Sequence, residues 1–393
     1  MLYNWPLGRS SWKAPLFRDG AFSLIFGIDK YLEMKQEDIL MISAIEEVTG
    51  VIAPPDEQAI LQAVLRLDNL TKPPGSLGQL EALAVRLAGI SVTPQPSYTK
   101  RTVVVMAADH GVCSEGISAF PQEVTLQMAH NFLSGGAAVN VLARQAGAEV
   151  KFVDVGINGD LSHPDLIDRK VRLGTDNMAQ GPAMSRDEAL RAILVGVKVA
   201  QDAVSSGTEI FVTGEMGIGN TTASAAILCV LGNVSAETAV GRGTGITDER
   251  LQHKIAVVER ALNVNRPEAA DPLDVLSKVG GLEIAGLTGL ILGAAASRTP
   301  VILDGFISGA AALVAKALAP ESTGYMIASH VSGEQGHKLM LERLGLEPLL
   351  NLGLRLGEGT GGVLSLHLIE AVCRIMSEMA TFDSAGVSGA EQK

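Results

Sequence analysis

Apolar positions change period along this chain, and the changes mark its elements. Between residues 57 and 70, Ile60, Leu61, Val64, Leu65 and Leu67 recur at helical spacing. A stiff turn, Leu70-Thr71-Lys72-Pro73-Pro74-Gly75-Ser76-Leu77-Gly78, separates that helix from a second over residues 79–87. Residues 102–107 are a continuous aliphatic run of strand length. Helices over 124–133 and 137–145 follow, Gly135-Gly136 ending the first, and then a strand over 150–155. Residues 158–172 read as a polar loop. Ser185, with Asp187 and Glu188 behind it, caps a helix whose apolar face is Leu190, Ile193, Leu194 and Val197. The same patterns predict strands over 209–213, 300–303, 325–328 and 349–356. They predict helices over 223–231, 248–262, 307–318, 335–344 and 363–379. About six or seven strand–helix units result, which is the rhythm of an α/β protein.

The expected fold is an open parallel sheet (Rossmann-like) flanked by helices, with a small helical domain from the two termini. The division is 1–40 as an irregular N-terminal extension, 41–95 plus 363–393 as the small helical domain, and 96–362 as the large α/β domain. Residues 1–40 hold both tryptophans and no clear period, and Met34 and Met41 are alternative starts.

Composition narrows the class. Hydrophobic residues make up 47% and aromatics 4%, with 43 glycines, as expected of aliphatic strands buried on both faces. A net charge of -12 argues against nucleic acid as a partner, yet leaves room for one small anion held by local dipoles. Cys113, Cys229 and Cys373 form no CxxC pair, so free thiols in a reducing compartment are expected, with no zinc site. The apolar run over 284–296 is too short to span a bilayer. No small-residue cleavage site follows the short apolar run over 20–28. A cytoplasmic protein is expected, without membrane contact.

Candidate chemistry gathers where strands end, the usual ligand side of open α/β sheets. Leu354-Arg355-Leu356-Gly357-Glu358-Gly359-Thr360-Gly361-Gly362 precedes a helix, and its amides suit a phosphate. Glu358, alone among those glycines, reads as a base aimed into the same pocket. Asp109-His110 and Asp304 also stand at strand ends. Gly214-Glu215-Met216-Gly217-Ile218-Gly219-Asn220-Thr221-Thr222 nearly matches a P-loop, but Asn220 stands where that loop requires lysine. The missing lysine weakens a nucleoside-triphosphatase reading and leaves a degenerate P-loop phosphotransferase as the alternative; what survives is a glycine loop able to hold one phosphate on its amide groups. Gly241-Arg242-Gly243-Thr244-Gly245 repeats the theme, and Lys254 in the next helix reads from the residues alone as solvated. Gly357 to Gly362 matches GxGxxG, but only 31 residues follow, too few for a dinucleotide unit.

Taken jointly and in order, these stretches, with 115–125 and 280–286, resemble the nicotinate-nucleotide–dimethylbenzimidazole phosphoribosyltransferase family. The resemblance covers about residues 57–380 and leaves 1–40 outside. It implies transfer of phosphoribose from nicotinate mononucleotide to 5,6-dimethylbenzimidazole by a homodimer that needs no cofactor and no metal. It implies Glu358 as base and Glu215 as a second active-site acid. It places Gly217, Gly243 and Lys254 on the phosphate, Ser118 and Gln127 at the flat aromatic, and Asp304, Leu356 and Gly357 in the lining.

Overall fold

The computed structural model describes residues 36–243 and 245–388. The expectations for 1–35, including where the chain starts, lie outside those residues. Helices α1 (Gln36–Gly50), α2 (Glu57–Asn69) and α3 (Gln79–Ser91) precede strand β1 (Arg101–Ala108). Helix α1 thus begins inside the stretch expected to be irregular. Helices α4 (Val124–Leu133) and α5 (Ala138–Ala146) lead to β2 (Ala148–Gly156) and β3 (Leu166–Asp168). Helix α6 (Arg186–Ser205) returns to β4 (Ile210–Met216). Then come α7 (Asn220–Leu231), α8 (Asp248–Asn265), α9 (Pro272–Val279), α10 (Leu282–Ala296) and β5 (Val301–Leu303). Helix α11 (Phe306–Leu318), β6 (Met326–Ala328), α12 (His337–Leu344) and α13 (Thr360–Glu378) follow, and a short helical turn, Phe382–Ala385, comes after them.

All strand pairs are parallel, in the order β3-β2-β1-β4-β5-β6. The chain leaves β1 first toward one edge and later, from β4, toward the other. The β1/β4 boundary is therefore the point where a crevice opens beyond the strand ends. Successive side chains of β1 serve opposite layers. Val104, Met106 and Ala108 pack with α6, α7, α10 and α11. Val103, Val105 and Ala107 pack with α2, α3, α5 and α13. Residues 70–71 and 380–381 meet in that second layer, where Thr71 N–H donates to Ala380 O at 3.1 Å and Leu70 bridges Thr381. Helix α1 instead packs on α6 and α10.

Three expectations need correction. Residues 349–356 are not a buried strand. They run as a loop that meets the sheet edge only at its start, through Leu349 N–H to Ala328 O and the bridge of His330 to Leu350, and Leu352 and Leu356 are exposed. Left-handed Gly353 and Gly357 end any extended run there. Residues 214–216 are not loop but the last residues of β4, paired with Val105, Met106 and Ala107. Glycine there weakens the strand signal without breaking the ladder. The polar stretch 158–172 contains β3, an edge strand of three residues too short and too polar to show a period.

Candidate active site

Glu358 stands on an unusual backbone. Gly357, Glu358 and Gly359 have φ of 84°, 65° and 98°, so three consecutive residues are left-handed. For a glutamate this costs roughly 1 kcal/mol or more, which surrounding contacts must offset. Those contacts are visible. The main chain of Glu358 lies directly on β4, where a Cβ on Gly214 would fall 2.4 Å from the Glu358 carbonyl oxygen. A Cβ on Gly357 would fall 2.4 Å from Glu215 Oε1. The Glu358 N–H donates to that same oxygen at 3.4 Å. From the end of β5, Asp304 Oδ1 accepts the N–H groups of Gly361 (2.8 Å) and Gly362 (3.0 Å). Asp304 Oδ2 accepts that of Gly359 at 3.2 Å. The expectation that this glycine turn binds a phosphate is thereby overturned. The anion at the start of α13 is the protein's own carboxylate, and it takes up the amides a phosphate would need.

The side chain of Glu358 is 7% exposed and receives the Val139 N–H from the first turn of α5. Its Oε2 is buried without a hydrogen-bond partner. Burial first, and then the Asp304 charge, push its pKa up to about 7. Glu215, 6% exposed, accepts from Asn220 Nδ2. Burial, Asp304 and Glu283 together push it up to about 8. Burial also raises Asp304, opposed by His330 and the three amides. His330 lies against Gly361, with Nδ1 2.8 Å from Ser329 Oγ, and burial holds it below the usual imidazole value.

Across the crevice, Gly217-Ile218-Gly219 joins β4 to α7. Ile218 N–H donates to Thr125 Oγ1 at 3.1 Å. Gly217 has no room for a Cβ, which would meet Ala108 O at 2.4 Å. Beneath this loop His110 Nε2 and Glu283 Oε1 are 2.6 Å apart, both fully buried. Burial alone would lower His110, but the Glu283 carboxylate reverses the sign and raises it. The sequence marked His110 by its place at a strand end but gave Glu283 no role. Their partnership spans 173 positions, so no local pattern announces it. Lys254 is 2% exposed, not solvated. Its Nζ donates to Thr221 Oγ1 at 2.8 Å, beside Gly243, and burial pushes its pKa down to about 8 against the pull of Glu334.

The aromatic-side residues are more open. Ser118 is half-buried and accepts the Phe120 N–H at 3.1 Å. Gln127 is exposed on α4, and Leu356 is 58% exposed. Hydrogen bonds link none of these three to Glu358 or Glu215 among the described residues. The Ser118 loop is tied to α8 through Glu115, which pairs with Arg260 and whose carbonyl lies 2.7 Å from His253 Nε2. Among the described residues no group of three or more His, Cys, Asp or Glu side chains could hold a metal ion. No described helix is long and apolar enough to cross a membrane.

A phosphoribosyltransferase family profile matches residues 52–387. A nicotinate-nucleotide–dimethylbenzimidazole phosphoribosyltransferase from Desulforamulus reducens is 57% identical over 349 residues, covering 88% of this chain and 99% of the relative. One of the same name from Halalkalibacterium halodurans is 55% identical over 346 residues, covering 88% and 97%. The crystal structure of CobT from Thermus thermophilus superposes with a TM-score of 0.82 at 49% identity, covering 85% of this chain and 100% of that one. Sequence, fold and strand-end acids agree: the chain belongs to the nicotinate-nucleotide–dimethylbenzimidazole phosphoribosyltransferase family.

Proposed function

We propose that this chain moves phosphoribose from nicotinate mononucleotide to 5,6-dimethylbenzimidazole. The products are α-ribazole 5′-phosphate and nicotinate, and the step belongs to cobalamin nucleotide-loop assembly. The observation that carries the mechanism is the Glu358 carboxyl, buried on a rigid turn with one oxygen unpartnered and a pKa near neutrality. A base works best with its pKa near the operating pH.

In the reaction, one azole nitrogen attacks the sugar carbon while the bond from that carbon to the pyridinium nitrogen breaks. The electron pair of the broken bond returns to the pyridine ring, so the leaving group needs no acid. The proton on the other azole nitrogen passes to Glu358. Glu215, as a carboxylate, stabilises the positive charge that develops on the sugar. Gly217, Gly243 and Lys254 hold the 5′-phosphate. Ser118, Gln127, Leu356 and Gly357 line the aromatic acceptor. The protein acts as a cytoplasmic homodimer.

The test is nicotinate release from the two substrates without metal or nucleoside triphosphate. Glu358→Gln is expected to bind the mononucleotide and to lose about 100-fold or more in kcat. A Glu358→Gln enzyme turning over at the wild-type rate would remove Glu358 as base. A wild-type protein that binds the mononucleotide yet never releases nicotinate would remove the activity.

A further inference from the structure

We infer that Asp304 is a positioning residue: its carboxylate clamps the main chain of the catalytic turn and so fixes where the Glu358 carboxyl points. This deepens the reading of Glu358 as base and rests on it. The family resemblance implies Asp304 as lining that touches substrate. The geometry points elsewhere. Asp304 is fully buried, and both its oxygens are engaged by main-chain amides, those of Gly359, Gly361 and Gly362. A substrate atom competing for those oxygens would leave buried amides unpaired.

The turn needs such a clamp. Residues 357–359 are all left-handed, and no regular hydrogen-bond ladder maintains three such residues in a row. The first amides of α13 have no partners within their own helix. Asp304 supplies them, and its negative charge suits the helix's positive end.

Asp304 is itself fixed from both sides. Its own N–H donates to Thr213 Oγ1 on β4 at 3.1 Å, and Thr213 Oγ1 donates to Ser308 Oγ at 2.9 Å. Ser329 Oγ, just after β6, donates to Asp304 O at 2.8 Å. The His330 ring closes the far side of the turn, where a Cβ on Gly361 would fall 2.0 Å from Nδ1. Three neighbouring strand ends therefore grip one turn, and the turn carries the base. The titratable groups around the base are Glu215 on β4 and Asp304 after β5. His330 faces Asp304 after β6, and Glu283 on α10 acts on Glu215.

Asp304→Asn removes the charge and part of the acceptor set. Thr213→Val keeps the charge and loosens its anchor. Both are assayed as full-length proteins for kcat and both KM values across about pH 5 to 9, alongside thermal unfolding. For Asp304→Asn we expect kcat to fall about 100-fold with either KM changed less than about threefold, as a displaced base requires. Its acid limb should also move about one unit lower, because a neighbouring negative charge has been removed. For Thr213→Val we expect a smaller loss in kcat and an unmoved limb. A raised KM for the mononucleotide with kcat kept would make Asp304 a substrate contact and overturn the inference. So would an Asp304→Asn enzyme whose limb and kcat match wild type. Should Asp304→Asn not fold, unchanged kcat in Thr213→Val overturns the inference by itself. An inactive wild type would instead remove the activity on which it rests.

Discussion

A single methyl group on Gly214 should disable the enzyme without altering any acidic side chain. Gly214 pairs with Val105 inside β4, and its φ lies outside the left-handed region, so alanine fits its backbone. Space is the obstacle. The added Cβ would lie 2.4 Å from Glu358 O, 2.9 Å from Glu358 C and 3.0 Å from Val105 Cγ2. Carbon contacts relax only near about 3.5 Å, so the Glu358 turn must retreat by about 1 Å. Backbone atoms cannot rotate away as a side chain can. The retreat also pulls Gly359 from Asp304, and the hydrogen bond from the Gly359 N–H to Asp304 Oδ2 is already 3.2 Å long. Overpacking of this kind costs about 1–3 kcal/mol in stability. A base displaced by about 1 Å costs about 100-fold in rate. The assay is nicotinate release, with thermal unfolding to confirm a folded protein. Gly181→Ala is the control, because a Cβ there meets nothing within 4 Å. A Gly214→Ala enzyme that keeps wild-type kcat would refute the claim that close packing on β4 fixes the base.

Two further outcomes follow from the charges. Lys254→Met should raise the KM for the mononucleotide about 10- to 100-fold, the worth of one charged hydrogen bond, while kcat changes less. In the wild type that KM should climb above about pH 8, where the ammonium loses its proton; a KM flat to pH 9 would count against Lys254 as the phosphate partner. Mononucleotide binding near pH 7 should release protons, because a cation beside Glu215 and Glu358 lowers their raised pKa values. Calorimetry in buffers of different ionisation enthalpy reads this directly, and an enthalpy independent of buffer would refute it.

The sequence disclosed what local chemistry specifies. The aliphatic run of β1 ends beside Asp109, and α4 begins and ends as its periodicity predicts. Ser185 caps α6 by accepting the Glu188 N–H, as its spacing implied. What stayed hidden was set by distant partners. Residues 349–356 look like a strand because they are apolar, but a strand needs a regular ladder. Past Leu350, among the described residues, only the Gly333 N–H to Leu354 O bond joins them to a neighbouring segment. The glycine turn after them looks like a phosphate cradle until Asp304, some 55 residues earlier, is seen to occupy it. Lys254 looks like any helix lysine until the fold buries it against Thr221.

The two halves of the crevice share one electrostatic condition. On the acid side Glu215, Asp304 and Glu358 are too close and too dry for all three to ionise, so two of them hold protons up to about pH 8 and 7. On the opposite side Lys254 is buried, and burial outweighs the pull of Glu334, so it gives up its proton near pH 8. Each half therefore favours fewer charges than its residues could carry. A nucleotide with a cationic pyridinium at one end and a phosphate at the other supplies both missing partners at once. On the proposed mechanism its cation lets the acids ionise, so that Glu215 serves as counter-charge and Glu358 as base. Its phosphate keeps Lys254 protonated. In the proposed reaction the pyridinium leaves as a neutral ring, and its positive charge passes to the azole until the azole N–H proton goes to Glu358. Burial and neighbouring carboxylates raise these pKa values in the free protein, and in the proposed reaction the substrate's cation lowers them, so the charge on each side of the site follows the substrate.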